Sequence, residues 1–138
     1  MTRAYEYRHT VAFQETNLVG NVYFTNHLSW QGRCREMFVR DHAPSVLDDL
    51  QNGLVLVTTH CSCDYLEELR PFDEVTVRMT LGAMTQSRVV LDFEYWRGVT
   101  LIARGQQKVA SMRRQHGSMS PAALPVALCE ALRRYGDS

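Results

Sequence analysis

No uninterrupted apolar run in this 138-residue chain reaches the length of a bilayer span. The first ten residues, Met1 to Thr10, carry charge where a signal peptide has its apolar region. A cytoplasmic protein without a membrane segment is expected. Nor is there an excess of charge of either sign: Lys plus Arg and Asp plus Glu both number 15, which disfavours nucleic acid and other polyanions as partners. Cysteine is scarce and scattered. Cys34, Cys61, Cys63 and Cys129 lack the density and spacing of a secreted disulfide framework, so reduced thiols are expected. Internal repeats and low-complexity tracts are absent, and the length suits a single domain, 1–138, with a real core.

What is present is strongly patterned. Tyr5, Tyr7, His9, Val11 and Phe13 alternate with Glu6, Arg8, Thr10, Ala12 and Gln14, the period of a half-buried strand expected from Tyr5 to Glu15. Tyr23, His27, Trp30, Cys34, Met37 and Phe38 then recur every three or four residues, marking one face of a helix that runs to His42 and is closed by Pro44. Gly53 to Leu69 opens with LVLVTT, too β-branched for a surface helix, and reads as a long central strand. After the turn Arg70-Pro71-Phe72-Asp73, Val75, Val77, Met79 and Leu81 alternate with Glu74, Thr76, Arg78 and Thr80. Gln86 to Arg97 alternates likewise, and Arg97-Gly98 reads as a tight turn into a fifth strand, Val99 to Arg113. Gln115 to Ser120 reads as a loose polar connection, and Pro121 to Tyr135 carries a helical pattern through Leu124, Leu128 and Leu132.

The expected class is α+β, a five-stranded antiparallel sheet with one long helix and a short C-terminal helix. One helix cannot cover both faces of such a sheet. Its outer face is therefore either polar or covered by a second subunit, and the unpaired edges also favour a dimer.

This order, with AFQETNLVGNVYFTNHLSWQGRCREMF joining the first strand to the helix and YLEELRPFDEVTVRM later, resembles the hotdog-fold thioesterases of the 4-hydroxybenzoyl-CoA thioesterase type. The resemblance covers roughly the first five-sixths of the chain. It implies a sheet wrapped around the helix, subunits joined into one continuous sheet with active sites at their interface, and a homo-oligomer, a dimer of dimers in many members. The aspartate that this family carries a few residues before its loop glycine falls on Asn17, the glycine on Gly20, and the following apolar run on Val22, Tyr23 and Phe24. A narrower subgroup shares the asparagine: the thioesterases that accompany iterative polyketide synthases making enediyne polyene precursors. The string NLVGNVYFTNHLSWQGRCREMF resembles theirs and places their functional asparagine on Asn17 and their functional arginine on Arg35. It implies hydrolysis of a long polyene acyl thioester from an acyl carrier protein domain, with loss of carbon dioxide from the released β-keto acid and no cofactor. That subgroup commonly has a tyrosine where this chain has His27.

Thioester hydrolysis needs stabilisation of a developing oxyanion and a destination for the proton of water. A loop glycine just before a helix suggests that the backbone N–H groups of Gly20, Asn21 and Val22 are unpaired donors forming an oxyanion hole. Arg35, about 80° around the helix from His27, stands at the edge of the apolar stripe, where a permanent cation can reach a cleft. Asn17 can orient water or donate to a carbonyl but cannot act as a base. For that role Glu15 and Glu36 are candidates, each weighed against a solvated charge, and His27 against a packed core histidine. Tyr23, His27, Thr58 and Thr59 are candidate substrate contacts. A Cys34–His27 nucleophilic pair is rejected, since seven residues rise about 10 Å. No metal is expected either, because His60 faces away from Cys61 and Cys63 and a fourth ligand is missing. The Arg113-Arg114 and Arg133-Arg134 pairs can meet an acidic carrier or simply face solvent. Beside the polyketide thioesterase stand two alternatives: a general acyl-CoA thioesterase, and a non-catalytic acyl-chain-binding partner of a synthase.

Overall fold

A computed structural model describes residues 3–136. The elements in chain order are β1 (Tyr5–Thr10), α1 (Thr25–His42), α2 (Val46–Gln51), β2 (Leu54–Tyr65), β3 (Glu74–Met84), β4 (Arg88–Arg97), β5 (Thr100–Gln115), β6 (Ser118–Pro121) and α3 (Val126–Arg133). They form one antiparallel sheet in the order β1-β3-β4-β5-β2, with β6 paired to β5. Helix α1 packs against β1, β2 and β3, while α3 covers α1 and β3.

The β3–β4–β5 meander follows the alternation of its residues. Val75, Val77, Met79, Val89, Leu91, Phe93 and Tyr95 are buried against α1, and the intervening side chains are half-exposed. Those outer residues are mostly polar, with Glu6 facing Arg78 at 3.5 Å and Gln106 donating to Asp92 at 3.0 Å. A polar outer face is thus one part of how this sheet meets water.

Five expectations are corrected. The first strand stops at Thr10 rather than Glu15, because Val11 exchanges backbone hydrogen bonds with Asp73 and Phe72, and the chain then closes into a 3-10 turn, Phe13–Glu15. Helix α1 begins at Thr25, so Tyr23 lies before it, 48% exposed. Pro44 ends α1 but does not end helical structure: its fixed φ suits the entry to a new first turn, and α2 follows at once. The strand expected to be central, β2, is an edge strand paired only with β5, and the connection expected to be loose is β6, so the sheet has six strands. That last hairpin turns at His116 and Gly117, with φ of 50° and 81°, the left-handed pair of a tight hairpin turn.

One feature fixes α1 against β2. Gln31 is fully buried, and its amide nitrogen donates to the Ser62 carbonyl at 2.9 Å, passing over Gly105 of β5. A Cβ at position 105 would overlap Gln31 Nε2 and stand 2.6 Å from Ser62 O. Glycine is needed here for close approach.

Candidate active site

Between β1 and α1 the chain forms a loop organised by Asn17. Its Oδ1 accepts from the backbone N–H of Val19 at 3.0 Å and of Asn21 at 3.2 Å, and its own N–H donates to the Asn21 carbonyl at 2.7 Å. Gly20, at φ 84°, provides the left-handed residue that this turn requires. These bonds correct one expectation. The N–H groups of Gly20, Asn21 and Val22 are not unpaired: they donate to Asn17 O, Asn17 Oδ1 and Leu69 O, and Tyr23 N–H donates to Glu15 O. They stabilise the loop, which leaves the amide nitrogen of Asn17 as its free polar end.

Along α1, His27, Gln31 and Arg35 stand four residues apart on one face, a polar line inside an apolar stripe. Each meets β2: the His27 ring lies edge-on to Tyr65 at 4.7 Å, Gln31 donates to Ser62, and Arg35 donates to Thr58 Oγ1 at 3.0 Å. Arg35 also donates to Gln107 Oε1 at 3.1 Å. Both of its partners are neutral. Burial pulls its pKa below the usual arginine range, opposed by the neighbouring charge of Glu36, yet a guanidinium remains protonated. Thr58 adjoins a β-bulge, and the extra residue, Thr59, turns its hydroxyl to the Lys108 carbonyl at 3.1 Å instead of to Arg35.

These residues border two separate cavities. Arg35 and Glu36 stand at one of about 280 Å³ between α1, α2, α3 and the sheet, walled by apolar side chains that include Phe38, Leu56, Leu91 and Leu128. Asn17, Asn21, Tyr23, His27 and Tyr65 border another of about 260 Å³. Within one chain Asn17 and Arg35 thus border different cavities.

The second cavity gathers polar atoms that lack partners. His27 is 3% exposed, and neither of its ring nitrogens has a hydrogen-bond partner; the Oδ1 of Asn21 is likewise buried and unpaired. Burial lowers the His27 pKa to about 4, with the nearby Phe24 carbonyl pulling the other way. The imidazole is therefore neutral at pH 7.

Glu15 is differently placed. Its Oε1 accepts from Ala12 N at 2.7 Å and lies 2.8 Å from His9 Nε2, while Oε2 accepts from Trp30 Nε1 at 2.9 Å. Burial alone would raise its pKa, but the Ala12, His9 and Trp30 donors hold it below the ordinary glutamate value. A carboxylate so fully engaged is a poor base and a strong tie between β1, the loop and α1. A depressed folded-state pKa stabilises above the unfolded value and is lost as pH falls through the folded one. Accordingly, Glu15→Gln should cost about 1–3 kcal/mol at pH 7, by turning an acceptor into a second donor, and should flatten the acid limb of stability seen in thermal melts as pH falls below the ordinary glutamate pKa. An unchanged acid limb would remove this role.

Glu36 is exposed and pairs with Arg33 at 3.3 Å at the rim of the apolar cavity. Cys34 is buried, and burial pushes its thiol up to about 12, which removes it as a nucleophile at neutral pH. Among the described residues no three His, Cys, Asp or Glu side chains cluster as metal ligands, and no helix is long and apolar enough to cross a membrane. Gln31 and Gln107, which complete the polar line, escaped the sequence reading. A glutamine at helical spacing from His27 and Arg35 was the available signal.

No curated protein sequence matches the chain. Residues 11–132 match the family described as the thioesterase-like superfamily. Among solved structures, the dynemicin thioesterase, whose crystal structures concern polyene binding, is 47% identical over 98% of this chain and 99% of its own, with a TM-score of 0.94. The 1,4-dihydroxy-2-naphthoyl-CoA thioesterase from Synechocystis is 21% identical, covering 94% of this chain and 96% of its own at a TM-score of 0.85. A mutant 4-hydroxybenzoyl-CoA thioesterase complexed with 4-hydroxybenzoyl-CoA is 14% identical, covering 94% and 99% at 0.83. These last two share the fold. Because the family match takes in the Asn17 loop, α1 and strands β2 to β6, the chain belongs to the thioesterase-like superfamily and is a hotdog-fold thioester hydrolase.

Proposed function

We propose that the protein releases a long β-ketoacyl polyene from an acyl carrier protein domain of an iterative polyketide synthase in enediyne-type biosynthesis, the freed β-keto acid then losing carbon dioxide. The observation that carries this reading is Arg35: a half-buried guanidinium whose hydrogen-bond partners are both neutral, at the rim of an apolar cavity of about 280 Å³. A cation whose hydrogen-bond partners are neutral is open to an anion, and the apolar cavity suits a hydrocarbon chain. The likeness to the dynemicin thioesterase favours a polyene as that chain.

The separation of the Asn17 and Arg35 cavities points to sites completed between copies. Strand β2 leaves one edge unpaired within the chain, and Leu18, Val19, Phe24 and Leu66 are exposed apolar residues around the Asn17 cavity. Antiparallel pairing of β2 with β2 of a second copy, about a twofold near Cys61 and Ser62, sets Thr58 opposite Tyr65. Arg35 of one copy then approaches Asn17 and His27 of the other, Arg35 holding the oxyanion or carboxylate and the Asn17 amide donating to the thioester carbonyl.

The test is hydrolysis of a β-ketoacyl thioester on a carrier protein, following free acid and carbon dioxide, beside the same acyl group on coenzyme A. Faster release from the carrier is expected. Equal or faster turnover of ordinary acyl-CoA would favour the general thioesterase, and background rates on both would favour an acyl-binding partner.

A further inference from the structure

We propose that His27 is a further catalytic residue of this site, the acceptor of the proton from the attacking water. The proposal rests on the thioesterase reading and answers a gap in it. Asn17 is an amide and Arg35 a permanent cation, so neither takes up a proton. Glu15 has both oxygens engaged by three donors, and Glu36 is exposed and paired with Arg33.

His27 has what these lack. Its ring is 3% exposed, borders the same cavity as Asn17, and makes no well-formed hydrogen bond from either nitrogen, with the Phe24 carbonyl nearby. A buried polar group left unpaired is destabilising, and such a group at the wall of a cavity marks the place of a ligand or a water. The ring is held in place by aromatic contacts, with Trp30 at 5.1 Å, Tyr65 at 4.7 Å and Tyr95 at 5.5 Å. The Tyr95 hydroxyl donates to the His27 carbonyl at 2.7 Å, and the Tyr65 hydroxyl to the Phe24 carbonyl at 2.6 Å, so both tyrosine hydroxyls are spent on α1 rather than on the ring. The carboxylates bordering this cavity, Glu67 and Glu68, are exposed. Burial keeps the imidazole neutral at pH 7, so that it can take up a proton without adding a negative charge to a cavity where an oxyanion forms.

In the step itself, the water oxygen bonds to the thioester carbon as its proton passes to an imidazole nitrogen and the carbonyl electron pair moves onto oxygen. Collapse of the tetrahedral intermediate breaks the carbon–sulfur bond, and the imidazolium returns its proton to the leaving thiolate. The products are a carboxylic acid and a thiol, and neutral His27 is restored.

The experiment compares wild type, His27→Gln and His27→Ala on the carrier-bound β-ketoacyl thioester, the alanine variant with and without added imidazole. We expect kcat to fall about 10²- to 10⁴-fold in both variants with KM little changed, and imidazole to restore part of the rate to His27→Ala. Wild-type rates in His27→Gln would overturn the proposal while leaving the thioesterase reading intact. A wild type inert on this thioester would overturn both. Should either variant fail to fold, ¹⁵N NMR of the wild-type ring decides: one unprotonated nitrogen at pH 7 that shifts on binding a ketone analogue supports the role, and a ring unaffected by the analogue overturns it.

Discussion

Replacing Arg35 with alanine is expected to lower kcat on a carrier-bound β-ketoacyl thioester by about 10²- to 10³-fold, the usual cost of removing one oxyanion donor, with little change in melting temperature. The two halves of this expectation have separate causes. Stability is nearly balanced, because the truncation ends the desolvation of a guanidinium that has no carboxylate partner, while it leaves Gln107 Oε1 without its donor. Activity is not balanced, because no other cation borders the apolar cavity. Arg35→Lys should recover only part of the loss: an ammonium keeps the charge but has no planar fork with which to hold Thr58, Gln107 and a substrate oxygen together. Activity that survives Arg35→Ala would sink the assignment, and activity lost in step with folding would reduce Arg35 to a structural residue.

The second large effect concerns Asn17, and there the aspartate variant is more informative than the alanine. Asn17 Oδ1 already serves the Val19 and Asn21 amides, and a carboxylate oxygen can take over both bonds, so Asn17→Asp should keep the loop. What it loses is the amide donor. If that donor holds the thioester carbonyl, Asn17→Asp should lower kcat by about 10²-fold with a near-normal melting curve. Asn17→Ala removes donor and loop bonds together and should be worse in both respects. A rate increase in Asn17→Asp would reverse the reading, showing that the position works best as a base.

Most of the frame was legible because the periods were strong. The alternation from Val75 to Leu81 and from Val89 to Tyr95 fixed β3 and β4 as well as the inward face of each residue. Helix α2 was missed because six residues do not complete two turns, too few for an apolar period to emerge. The composition of β2 reports side chains that need cover but not which strands flank it, so an edge strand read as a central one. The loop amides illustrate a different limit. Whether the N–H groups of Val22 and Tyr23 are free depends on the carbonyls of Leu69 and Glu15, and no local motif encodes the contact with Leu69. Arg35 was singled out by the resemblance and its place on the helix wheel agreed, whereas its partners Thr58 and Gln107 come from strands 23 and 72 residues away.

That strand order bears on how the site comes into being. The meander β3–β4–β5 can form from neighbouring hairpins, but β2 reaches β5 only after the whole meander has been laid down, so Leu54 pairs with Arg113 across a long intervening chain. Loop closure of that length weighs against early pairing, and a strand held along one edge is the natural place for local opening. Thr58, Ser62 and Tyr65 all belong to β2. One partner of each of Arg35, Gln31 and His27 is thus carried by a strand paired along a single edge, which ties competence for chemistry to the closure of a long loop as well as to the formation of the meander.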